Sequence, residues 1–273
     1  GFRGIVADLL WLRAADLQDR GRYFELVQLA DWITTLEPQF AEIWVFHAWN
    51  MASNISVMMP DDVARWRWVQ NSIKLLRERG QAFCPSDPKI YHELGMVYLH
   101  KIGGDTDPSA AYYRRKLAKQ MMDVVGPTGR LAESANPTAL AGLDPDAMRE
   151  VDTLYGPLDW RVAETHALYW AHLGARIGGK DGAGDARCRR MIYHAMMGLF
   201  DHGRLTHNEE EDLFVASPEF DLLASVIATF ERAIVERPEL KPEVAYASCL
   251  DSAVKTSPFY HRKEEARTLF DIL

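Results

Sequence analysis

The stretch "YHELGMVYLH" carries His92, Glu93 and His100. Such residues bind zinc and activate water when two histidines stand four apart on one helical face. Here the histidines stand eight apart, just over two turns and about 12 Å of helix rise. One metal ion does not suit that separation, so they read as histidines on a helix face. "DHGRLTHNEEED" gathers His202, His207, Glu209, Glu210, Glu211 and Asp212, all ligand types for a divalent cation. Its spacing matches no metal motif, and an acidic run between helices reads first as a solvated connection. His166 and His172 in "HALYWAH" lie on opposite flanks of a helix, as interface or partly buried histidines. "DGAGD" (181–185) lacks the third carboxylate and closing glutamate of an EF-hand loop and reads as a turn.

The sequence contains no GxxxxGK[ST] phosphate loop, no GxGxxG after a strand and no GxSxG nucleophile elbow. The expectation is a non-catalytic protein with no cofactor and no metal. Cys84, Cys188 and Cys249 stand far apart with no CxxC pair, which argues against a disulfide framework and a thiolate zinc site. A net charge of -8 over 273 residues disfavours nucleic acid and anionic membrane surfaces as partners.

Helical periodicity dominates the elements that must position these residues. Apolar residues at Ile5, Leu9, Leu10, Leu12 and Leu17 suit one helical stripe. "GRYFELVQLADWITTLEP" then runs from a glycine entry to the helix-stopping Pro38. Further helices are predicted over 40–52, 60–79, 88–102, 108–125, 160–177, 184–200, 220–236, 241–254 and 261–272. No alternating apolar–polar run is bounded by hairpin turns, so no sheet is predicted. Gly126–Gly156, rich in Gly, Pro and Ala with one short helix near 144–151, reads as a connection. The predicted organisation is an all-α chain with regular helical hairpins over 1–125, an irregular segment over 126–158 and a less regular helical half over 159–273.

A repeat stands behind this pattern. Leu10–Ala14–Leu17, Trp44–Ala48–Met51 and Tyr91–Gly95–Tyr98 each place a bulky, a small and a bulky residue along one helical face. Pro38 precedes Trp44 by six residues, and Pro85 precedes Tyr91 by six. The first two triplets are 34 residues apart (44 − 10) and the next two 47 (91 − 44). Ala163–Ala167–Trp170 is a further echo. This resembles the tetratricopeptide repeat, a stacked helical hairpin with a 34-residue period. The resemblance is fullest over 7–40, extends to about residue 125, and implies an α-solenoid of antiparallel hairpins. The text "GFRGIVADLLWLRA" also resembles bacterial tetratricopeptide-like proteins in which an N-terminal hydrophobic anchor precedes a comparable stretch. That implies a membrane-tethered protein.

In the family, the opening helix of each unit lines a concave surface on the side away from its packing triplet. The corresponding positions here are Asp8, Trp11, Ala15 and Gln18; Glu42, Val45, Trp49 and Ala52; and Lys89, His92, Met96 and Leu99. Lysine and asparagine clamp a terminal carboxylate in some members, but Trp11 and Ala15 stand at those places, so no carboxylate clamp is expected. The reading is an interaction scaffold that binds an apolar segment or partner subunit, with Trp11, Gln18, Val45, Trp49, His92 and Met96 as contact residues. The alternatives are a metal-dependent protein using the His202–Asp212 loop and a structural subunit of a membrane-associated complex.

Overall fold

The computed structural model describes residues 2–131, 142–178 and 183–272. The Asp8 side chain, residues 181 and 182 of the "DGAGD" stretch and part of the 126–156 connection lie outside the described residues; the rest of "DGAGD" begins a helix and is not a turn. Helices dominate: α1 (Phe2–Asp19), α2 (Tyr23–Leu36), α3 (41–58), α4 (62–83), α5 (88–102), α6 (Ala110–Val125), α7 (Pro145–Tyr155), α8 (Ala163–Gly178) and α9 (Ala183–His202). After a β-ribbon come α10 (220–236), α11 (Pro242–Thr256) and α12 (Lys263–Ile272).

The helix starts follow from local chemistry. Asp61, Asp87 and Asp144 each accept a hydrogen bond from a backbone N–H of the following turn. Pro88 and Pro145 occupy the first helical turn, where the missing N–H costs nothing. Between α1 and α2 the chain reverses at Gly21, whose φ of +68° is a left-handed conformation suited to glycine. Each of α3, α4 and α5 also contains a wide π segment: Asn50–Ile55, Leu75–Gly80 and Val97–Ile102. Such segments concentrate at functional sites.

Helices α1 and α2 pair, α2 packs on α3, and α3 packs on both α4 and α5. Helix α5 then lies against α8 and α9, which form the most extensive helix pair in the protein. The small residues are where backbones approach. A Cβ added at Gly95 would stand 2.3 Å from Met191 Sδ, and one at Gly174 2.5 Å from Cys188 Sγ. A small cluster joins α1, α2 and α3 through Ala14, Leu17, Leu26, Ile33 and Ile43. One larger core runs from Ala41 to Leu269. All three cysteines are buried and none forms a disulfide.

The six-residue step from proline to aromatic has a physical cause. The Trp44 indole N–H donates to the Pro38 carbonyl at 2.8 Å, and the Tyr91 hydroxyl donates to the Pro85 carbonyl at 3.0 Å. Each buried ring thereby satisfies its own polar atom and a carbonyl in the bend before its helix. His166 repeats the step without a proline, its Nε2 lying 2.9 Å from the Trp160 carbonyl.

The expectation of no sheet is overturned. Arg204–Asn208 (β1) and Leu213–Ser217 (β2) form an antiparallel ribbon, with His207 opposite Phe214. The acidic run is therefore the tip of a hairpin and not a linker between helices. Long-range contacts hold it in place: Arg161 donates to the Leu205 carbonyl at 2.6 Å while locked in a buried, bidentate pair with Asp159. Among the described residues, no helix is long and apolar enough to cross a membrane.

Candidate functional site

Glu42 on α3 pairs with Lys89 on α5, 47 residues away. The same separation relates Trp49 to Met96 (96 − 49), and both line a cavity of about 320 Å³ between these helices. Ala52 joins them from the π segment of α3, Val97 and Lys101 from that of α5, and Pro108 closes one end. Trp49, Ala52, Val57, Met96, Val97 and Pro108 give the cavity apolar surface, and the other half of the lining is polar, with Ser53, His100 and Thr106 beside the charged groups. Trp49 keeps 41% of its surface exposed, while Met96 is half-buried and packs on the core.

Glu93 also lines this cavity. It is only 8% exposed, and no described residue donates a hydrogen bond or brings a cation to its carboxyl. Burial alone lifts its pKa from 4.5 to about 7. The other carboxylate of the cavity, Asp107, is fully engaged. Lys101 pairs with it, Arg65 lies at 3.9 Å, and the Ser109 N–H donates to it at 2.8 Å. The cleft thus combines an aromatic wall, a thioether wall and one buried acid without a partner.

The other expected contact residues lie elsewhere. Trp11 packs on Phe46 with ring centroids 4.9 Å apart and the planes tilted by 60°, as a contact between α1 and α3. Gln18 is half-buried on α1. Val45 packs against the core, and His92 is half-buried, with burial, Arg187 and His100 lowering its pKa to about 4. Neither lines the cavity. Sequence reasoning did not single out Glu93 as a cavity residue. The available signal was its place three residues after Ile90 and four before Val97, both buried, which puts a carboxyl on the packed side of a helix.

The hairpin redistributes the loop weighed as a metal site. His202, Glu211 and Asp212 line a separate cavity of about 600 Å³ with Arg114, Glu164 and Phe214. His207 lines a different cavity, stacks on Phe214 with ring centroids 4.1 Å apart, and places its Nε2 3.6 Å from Asp212, whose carboxylate also pairs with Lys119. Among the described residues, no group of three or more His, Cys, Asp or Glu side chains is placed to hold a metal ion. His166 and His172, expected at an interface or partly buried, are both buried. Comparison of the chain with protein-family models, curated proteins and solved structures finds no match.

Proposed function

We propose that this chain is a non-catalytic interaction module of the tetratricopeptide kind, gripping an apolar stretch of a partner protein in the cleft between α3 and α5. The observation that carries the reading is the joint exposure of Trp49 and Met96 on a cavity of about 320 Å³. A large ring left partly open beside a thioether offers a partner a concave anchor site. The packing of α3 on α5 and of α5 on α8, with the bulky–small–bulky faces of α3 and α5 buried, supports the repeat component of the proposal.

Selection of random peptides displayed on phage tests it, with binding then measured for synthetic copies. Selected peptides bind the parent protein and lose about 30-fold in affinity on Trp49→Ala, the effect of removing one central aromatic anchor. Selection of none, or equal binding to folded Trp49→Ala and Met96→Ala variants, would overturn the reading.

A second reading, an enzyme acting in the larger cavity, draws on Glu164. This residue is buried, and burial raises its pKa, partly offset by a backbone hydrogen bond and then by the charges of His202 and Arg114. That reading requires Glu164→Gln, and not Trp49→Ala, to abolish function.

A further inference from the structure

We infer that the α3–α5 cleft takes a basic side chain of its partner, a lysine or arginine whose charged head pairs with Glu93 while its apolar stem lies along Trp49 and Met96. The inference rests on the reading of this cleft as a protein-binding site and adds the chemistry of the anchor.

Three observations converge on it. Glu93 is more than nine-tenths buried, lines the cavity and has no donor or cation beside it among the described residues. A buried carboxyl in that state is costly to ionise, and a cation brought by a ligand removes the cost. The remaining charges at the cleft are already matched. Lys101 and Arg65 attend Asp107 at one end, and Lys89 pairs with Glu42 further along the two helices. His100, also in the lining, is held toward its neutral form by burial, so an arriving cation meets one uncompensated acid and no unpaired cation among the described residues. Finally, the walls suit the stem of a basic residue: Trp49 brings a partly exposed aromatic ring to the cavity, the kind of group that attracts a cation, and Met96, Ala52 and Val97 bring apolar surface for methylenes. The chain's net charge of -8 draws a basic segment toward the cleft at low salt.

The test uses the peptides selected above and compares each with a copy in which the basic residue is replaced by norleucine, which keeps the stem and removes the charge. The expected result is a conserved Lys or Arg among the selected peptides and an affinity about 30-fold lower for the norleucine copy on the parent protein. On Glu93→Gln, a neutral variant of the same shape, the two copies bind equally. Whether Lys or Arg is enriched tells ammonium from guanidinium, and either supports the inference. Peptides that need Trp49 but show no basic residue, or that keep their preference for charge on Glu93→Gln, overturn the inference and leave the binding function standing. If no peptide depends on Trp49, both fall.

Discussion

Replacing Glu93 by glutamine should change stability in a pH-dependent way whose sign follows from its burial. The carboxyl is raised from 4.5 to about 7 because the folded protein disfavours its charge. A group whose pKa rises on folding contributes stability that is complete below 4.5, and the contribution is lost as pH climbs through about 7. Glutamine never ionises, so the two proteins should be equally stable below pH 4.5, with the variant pulling ahead as pH rises to about 7 and beyond. Each pH unit is worth about 1.4 kcal/mol, which sets a ceiling of about 3 kcal/mol on the gain for a rise from 4.5 to about 7. The assay is urea unfolding followed by far-ultraviolet circular dichroism at a series of pH values. Taking the difference between the two proteins cancels the titration of His47, His92 and His166, which burial also perturbs. A difference that stays constant with pH, or a variant less stable than the parent above pH 7, would refute the argument that this carboxyl is buried without a partner.

The joints and helix contacts give three further outcomes. Tyr91→Phe removes the donor to the Pro85 carbonyl and should cost about 1 kcal/mol, read by the same unfolding assay. Gly174→Ala would press a methyl group against Cys188 Sγ and Tyr91 Cβ and should cost about 1–3 kcal/mol; an unchanged denaturation midpoint would contradict the close approach of α5, α8 and α9. Asp159→Ala leaves the Arg161 guanidinium buried without its carboxylate, at a cost of about 3–5 kcal/mol. It should also loosen the ribbon that Arg161 holds through Leu205, seen as faster amide exchange over 204–217.

What was legible in the sequence depended on how far the cause lay from the effect. The six-residue step from Pro38 to Trp44 could be read because donor and acceptor sit within one bend. The helix over 88–102 was legible for the same reason, since Asp87, Pro88 and the apolar period act within a few turns. The ribbon was not. "RLTHN" has a single aliphatic residue and no clear alternation, and much of what fixes it arrives from Arg161, 44 residues before Leu205. Trp11 shows the same dependence on distant chain. It was expected as a contact residue on a concave surface, whereas its ring packs on Phe46 of α3, 35 residues downstream (46 − 11). Glu93 was visible as a carboxyl on a helix, whereas its isolation depends on Trp49 and Ala52, more than forty residues upstream.

The cleft and the repeat-like packing share one geometric origin. The faces Trp44–Ala48–Met51 and Tyr91–Gly95–Tyr98 are buried at the same separation in sequence. With α3 and α5 in contact, neighbouring positions at that separation are brought together as well: Glu42 meets Lys89, and Trp49 shares a cavity with Met96. The π segments obey the same spacing, since Asn50–Ile55 and Val97–Ile102 begin one residue after Trp49 and Met96 respectively. A wide turn redirects the side chains that follow it, because it inserts a residue into the regular helical period. The cavity lies where both helices depart from regular pitch, and Glu93, one turn before the second departure, lines it with no partner among the described residues.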